Sequence, residues 1–175
     1  MSQKIHFVTY GNKIYNNSKK RLQEESSNSG WVDTITIYGP EDLSDEFKHE
    51  FNDILKQPRI AGYGLWRPYI IKKKLDEIND NDILIYLDAG CSINIHGKTQ
   101  FDEYIEMLNK SDKGIISFQM PHVEKKYTTK EIFNYFNIDI NSEYATSGQI
   151  LDGILIMKKN KNLNIIIDLW HNVIY

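Results

Sequence analysis

Residues 84–92, LIYLDAGCS, carry an apolar run into one carboxylate, Asp88, and then break on Ala89 and Gly90. A carboxylate at a strand end can hold a divalent cation or a ribose hydroxyl, and two small residues after it let a bulky anionic ligand approach the backbone. The same aspartate can also cap a turn with its own side chain. A second group lies in GYGLWRP, residues 62–68. Trp66 offers a stacking face, Arg67 a fixed fork of donors that suits phosphate, and the helix start after them adds free N–H groups. The alternative is an aromatic loop packed on the core, with Arg67 idle at the surface. A third group, TSGQILDG, sets Ser147, Gly148, Gln149 and Asp152 just ahead of a buried strand. There Gln149 and Asp152 could read sugar hydroxyls, or Asp152 could simply cap the strand entry.

Other chemistry-bearing residues fall into no such grouping. Cys91 has no nearby His or Asp in a nucleophile pattern and reads as a small buried filler. His6 lies within a strand run and reads as a hydrogen-bonded core histidine, while His171 sits on the last helix beside Trp170 without a partner motif. The lysines at 72–74 fit the exposed side of a helix. No G-x-x-x-x-G-K-[ST] loop, no G-x-G-x-x-G after the first strand and no zinc-ligand spacing occurs, so kinase, dehydrogenase and zinc-hydrolase chemistry lack support.

The elements that must position these residues alternate along the chain. Strand patterns cover residues 4–10, 32–38, 82–88, 114–120 and 152–159. Between them lie helical patterns over Tyr15–Ser27, stopped by Gly30, and over 44–55, with Ser44 as N-cap and Phe47, Phe51, Ile54 and Leu55 on one face. Further helices begin at Pro68, in its first turn, at about Phe101, and at the Thr128/Glu131 capping-box spacing, running to about Asn137. A last helix covers residues 162–175. The run at 82–88 is too continuously apolar for a surface strand, so it is central and buried on both faces. This alternation predicts an α/β fold: one domain over 1–175, with a mostly parallel central sheet flanked by helices. In such sheets ligands lie beyond the carboxyl ends of the strands, which points to Thr9–Asn12, Asp88–Ser92 and the residues after Met120.

The 175 residues carry a net charge of -3, which argues against a general nucleic-acid binder. One cysteine excludes an internal disulfide, and no apolar stretch approaches the ~18 residues of a membrane span. With no apolar signal core at the N-terminus, a cytoplasmic setting is expected.

Taken in order, IHFVTYGN, GYGLWRPYII, DILIYLDAG and SGQILDGILIMKK resemble small GT-A glycosyltransferases of large DNA viruses, chlorella viruses included, and of bacterial surface-polysaccharide loci. The resemblance spans about Ile5 to Trp170. It implies a Rossmann-like GT-A domain that moves a hexose from a nucleotide sugar, UDP-linked above all, to a glycan or glycoprotein hydroxyl. A viral relative would act in the host cytoplasm. It also implies that Thr9, Tyr10 and Gly11 hold the nucleoside, and that Trp66 and Arg67 lie near the diphosphate. Asp88, with Ala89 and Gly90 behind it, would anchor Mn or Mg, and Ser147, Gly148, Gln149 and Asp152 would lie beside the donor sugar. An inverting reaction would make Asp152 the base, whereas a retaining one would shift attention to Gln149 and the leaving phosphate. The chain departs from the family's D-x-D element, because Gly90 replaces the second aspartate. It also lacks an H-R-x-D-Q-S type segment that relatives carry after the last helix. Those departures keep open a non-catalytic module that binds nucleotide sugar or glycan.

Overall fold

The computed structural model describes residues 2–174, with the side chain of residue 174 left aside. Five strands form one sheet: β1 (Ile5–Tyr10), β2 (Thr34–Tyr38), β3 (Ile83–Leu87), β4 (Ile115–Val123) and β5 (Gly148–Lys158), in the order β2-β1-β3-β5-β4. β1 pairs in parallel with β2 and β3, but β5 pairs antiparallel with both β3 and β4. The sheet is therefore mixed rather than purely parallel: β2, β1, β3 and β4 share one direction and β5 opposes them, and the reason is the connection before β5. The chain leaves β4 at Val123 and re-enters at Gly148, its pairing partner, so β5 must run back from the edge where β4 ended.

Side chains of β3 alternate between two cores, as expected of a central strand. Leu84 and Tyr86 face a cluster with Ile70, Ile71 and Leu75 of α5 (Trp66–Glu77) and Leu163 and Ile167 of α9 (Lys161–Ile174). Ile83 and Ile85 face Leu22 of α1 (Asn16–Ser29) and Phe101 and Leu108 of α6 (Lys98–Lys110). Gly30 stops α1 in a left-handed conformation, and Ser44 caps α2 (Asp45–Glu50) by accepting from the Phe47 amide. The expected helix over 44–55 breaks at Phe51 into α2 and a short α3 (Asn52–Leu55), which leaves Ile54 exposed. α5 starts two residues before Pro68, whose missing N–H falls in the first turn where no helical acceptor exists. Thr128 makes no capping box. Its hydroxyl donates to Glu124, and α7 (Lys130–Tyr135) starts after Thr129. The three lysines are anchors: Lys72 pairs with Asp168, Lys73 donates to the Asp42 carbonyl and Lys74 pairs with Glu77.

Ahead of α5, residues 60–64 all have positive φ, so α4 (Ile60–Tyr63) is a helical turn of the left hand. The Tyr63 amide donates to the Arg59 carbonyl (2.8 Å) and Gly64 to Ile60 (3.3 Å). Left-handed backbone costs ~1–2 kcal/mol for each residue with a Cβ, and β-branched Ile60 is among the least suited to it. Gly62 is required here, since a Cβ would sit 2.9 Å from the Leu55 Cα.

Near the amino end of β1, His6 is a buried structural residue. Its Nδ1 meets the Thr34 hydroxyl at 2.7 Å and its Nε2 meets Asp82 at 3.2 Å. Burial works to raise the Asp82 pKa, but the Lys4 amide, His6 and Asn79 outweigh it and hold it below the ordinary carboxylate value. A depressed folded pKa contributes stability above the unfolded value of ~3.9, and that contribution is lost as pH falls through the folded value. Asp82→Ala should cost ~3 kcal/mol at pH 7, and urea unfolding at pH 7 and near pH 3 should show the difference from wild type shrinking with acid.

Candidate active site

The carboxyl ends of β1 and β3 open into a cleft of about 210 Å³, lined by Tyr10, Gly11, Asn12, Tyr15, Ile60, Ala61, Trp66, Asp88, Ala89 and Gly90. Tyr10, Gly11, Asn12, Trp66, Ala89 and Gly90, all pointed to by the sequence, thus line the same cleft as Asp88. Asn12 starts the turn after β1 with its side chain accepting from the Ile14 amide, and Lys19 donates to the Gly11 carbonyl at 2.7 Å. Thr9 does not reach the cleft. It is fully buried in β1, and its hydroxyl has no partner. Trp66 does reach it, but one ring face is occupied: Tyr10 stacks on it with centroids 3.9 Å apart, and the indole N–H donates to the Ile60 carbonyl. Burial, reinforced by Glu41 and Asp42, raises the Tyr10 pKa, so its phenol stays neutral.

Arg67 is neither idle nor exposed. It is 5% exposed, and every nitrogen of its guanidinium is engaged. Nε donates to the Tyr86 hydroxyl (3.1 Å), Nη2 to both oxygens of Asp88 (3.1 and 3.2 Å), and Nη1 to Asp152. Tyr86 in turn donates its proton to Asp88 Oδ1. Burial alone would lower the Arg67 pKa, but Tyr86, Asp88 and Asp152 outweigh it and hold it above its ordinary value. Burial and Asp88 raise the Tyr86 pKa against the pull of Arg67, so the phenol keeps the proton it donates.

The reversed direction of β5 brings Asp152 to this place. The Asp88 amide donates to the Gly153 carbonyl at 2.9 Å, so the end of β3 lies beside the middle of β5. Asp152 is not ahead of the strand, as the sequence indicated, but inside it at a bulge. From Ile116 to Phe118 on β4 is two steps, while their partners Ile156 and Leu151 on β5 are five apart. Bulges of this kind redirect side chains beside active sites. Gly153 leaves the room for the arrangement, since a Cβ there would sit 2.8 Å from Asp88 Oδ2.

Gln149 and Asp152 line a second cleft of about 460 Å³ with Ser117, Met120, Glu124, Thr128, Ile150, Ile166 and Trp170 among its walls. Ser147 and Gly148 are not among its lining residues. Gly148 pairs with Val123 where a Cβ would collide with the Met120 carbonyl, and the Ser147 carbonyl accepts from Glu124. Arg67 therefore joins a carboxylate of the first cleft, Asp88, to one of the second, Asp152. Two members were missed in the sequence. Tyr86 had a signal, since residues two apart on a strand share a face and Y-L-D puts Tyr86 beneath Asp88. Gly153 had none.

A metal test rests on the same bonds. Asp88 already accepts three hydrogen bonds of about four that a carboxylate can take. Among the described residues no group of three or more His, Cys, Asp or Glu could hold a metal. The donor set does not fit an ion held by protein alone. Asp88 has one acceptor position left for an ion, which would have to draw the rest of its shell from waters and substrate phosphates.

No family model matches the chain, and no curated protein matches it. Among solved structures the chain is similar to the crystal structure of a glycosyltransferase involved in the glycosylation of the major capsid of PBCV-1. The two share 13% identity with a TM-score of 0.43, over 98% of this chain and 67% of that one. No helix among the described residues is long and apolar enough to cross a membrane.

The burial pattern predicts unequal effects on stability. Tyr86→Phe strands the Arg67 Nε–H inside the core and should cost ~2 kcal/mol. Asp152→Asn should change stability by under ~1 kcal/mol, because that side chain is 58% exposed. Equal costs in urea unfolding would contradict the arrangement.

Proposed function

We propose that the chain is a glycosyltransferase of the GT-A type, transferring a hexose from a nucleoside diphosphate sugar, UDP-linked in the first instance, to a glycan hydroxyl. The observation that carries this reading is the position of Asp88 and Asp152, one in each of two clefts and joined by a buried arginine. A two-substrate transfer needs that layout: a donor site, an acceptor site, and charged groups where they meet.

In this reading the nucleoside diphosphate lies along Tyr10, Gly11, Asn12 and the Asp88-Ala89-Gly90 turn. The anomeric C–O bond to the diphosphate breaks and its electron pair leaves with the phosphate oxygen, next to Arg67. Fixed cationic charge at such a point stabilises the transition state. The acceptor oxygen forms the new bond to the anomeric carbon from the second cleft, with inversion, and its proton passes to Asp152 as general base. Gln149 positions the acceptor or sugar hydroxyls. Mn or Mg, held by Asp88 together with the two phosphates, would neutralise charge on the leaving group. Among the described residues that line the first cleft Asp88 is the one charged group, and Arg67 is bonded to it. Arg67 contributes to donor binding by yielding its Nη1 bond to Asp152, which also frees that carboxylate to take a proton.

A non-catalytic module that binds nucleotide sugar or glycan is favoured by one observation, the incomplete protein donor set at Asp88. Transfer and donor hydrolysis with Mn separate the two, since binding of UDP-sugar without UDP release across an acceptor panel supports the module.

Three outcomes are expected. Thermal shift with UDP-, GDP- and dTDP-sugars should show stabilisation of ~2.7 kcal/mol at ~100 times the dissociation constant for the true donor. Asp152→Asn should retain donor binding and lose ~10²–10⁴-fold in transfer rate, whereas an Asp88→Asn protein with full activity would remove Asp88 from the mechanism. A Cβ at Gly90 meets no atom within 4 Å, so Gly90→Asp should fold, restore the second carboxylate and lower the Mn concentration for half-maximal activity.

A further inference from the structure

We infer that the second cleft takes an amphipathic acceptor: a glycoside whose hydroxyl end meets Asp152 and Gln149 and whose apolar aglycone lies along Ile150 and α9. The inference rests on the two-cleft reading above and adds the chemical class of the acceptor.

The cleft is lined by two kinds of residue. Its polar residues are Ser117, Gln149, Asp152, which is bonded to Arg67, and the pair Glu124 and Thr128, bonded to each other. Its apolar residues include Ile150, Ile166 and half-buried Trp170. Ile150 is 51% and Ile166 39% exposed, although both line a concave surface. Large aliphatic side chains left open to water beside polar groups match a ligand with both kinds of surface. A free sugar would leave the isoleucines wet. A purely apolar ligand would bury the Asp152 carboxylate, which costs several kcal/mol unless it is paired. Ile150 lies two residues from the proposed base on β5, so an aglycone against it places the sugar hydroxyl near Asp152.

The expected signature is a dependence on chain length. Burying a methylene strengthens binding by roughly fourfold at full burial. Methyl, butyl, hexyl and octyl glucosides, each below its micelle concentration, would be titrated calorimetrically into the full chain with and without saturating UDP-glucose. Affinity should climb about two- to fourfold per methylene until the wall is covered. The climb should flatten in an Ile150→Ser, Ile166→Ser double variant, whose cooperative urea unfolding would show that it still folds. Equal affinities along the series, or a climb unchanged in the double variant, would overturn the inference. The two readings fail separately. UDP-glucose binding and hydrolysis without chain-length dependence leaves the transferase and removes the amphipathic acceptor. Chain-length dependence without any nucleotide-sugar binding keeps the glycoside cleft and removes the transferase.

Discussion

A guanidinium taken out of water has to be surrounded by acceptors, and that requirement at Arg67 organises the site. The desolvation penalty for a buried cation is several kcal/mol, and only well-placed partners offset it. Tyr86, Asp88 and Asp152 are those partners, one from inside the sheet, one from the end of β3 and one from the bulge in β5. Because α5 holds Arg67 rigidly in its first turn, the two carboxylates are held relative to each other by a third party. The guanidinium between them offsets their mutual repulsion. Tyr86 links the group to the core, since it is fully buried and both accepts from Arg67 and donates to Asp88.

The mixed sheet is the second half of that arrangement. A strand parallel to β3 would have its amino end at the far edge, and its early residues would lie beside Asp82 and His6. Running backwards, β5 passes the end of β3 at its middle, where Leu87 pairs with Ile154, so Asp152 and Gly153 come beside Asp88. The bulge then turns Asp152 toward Arg67 while Leu155 and Met157 keep their places against α5 and α9. Packing and site geometry are thus satisfied by the same strand, with the ladder to β4 interrupted between them.

Much of this was legible in residue order. The β3 run and its end at Asp88 followed from apolar continuity, and Ser44, Gly30 and Pro68 marked helix boundaries through local backbone chemistry. The direction of β5 was not legible, because a strand's pattern of side chains reads the same in either sense. Nor was the true state of Arg67. Its donors were visible in the sequence, but their partners come from positions 19, 21 and 85 residues away. Thr9 was misplaced for a related reason: strand alternation decides which residues at a strand end point inward, and Thr9 is turned into the fold while Tyr10 and Gly11 face the opening. Trp66 looked like a free platform because nothing in its surroundings announced that Tyr10 would stack on it.

The wall of the first cleft at Ile60 and Ala61 is built from backbone wound against the handedness natural to L-residues. With three such residues, the local disfavour is of the same order as the few kcal/mol by which a whole domain is stable. That segment cannot persist by its own preference. It is held by its own backbone bonds, by the Trp66 bond to Ile60 and by Arg67, which anchors the helix that follows. The mouth of the pocket is therefore sprung, a coil that the interior keeps wound, and whatever loosens the interior will be felt first at the entrance.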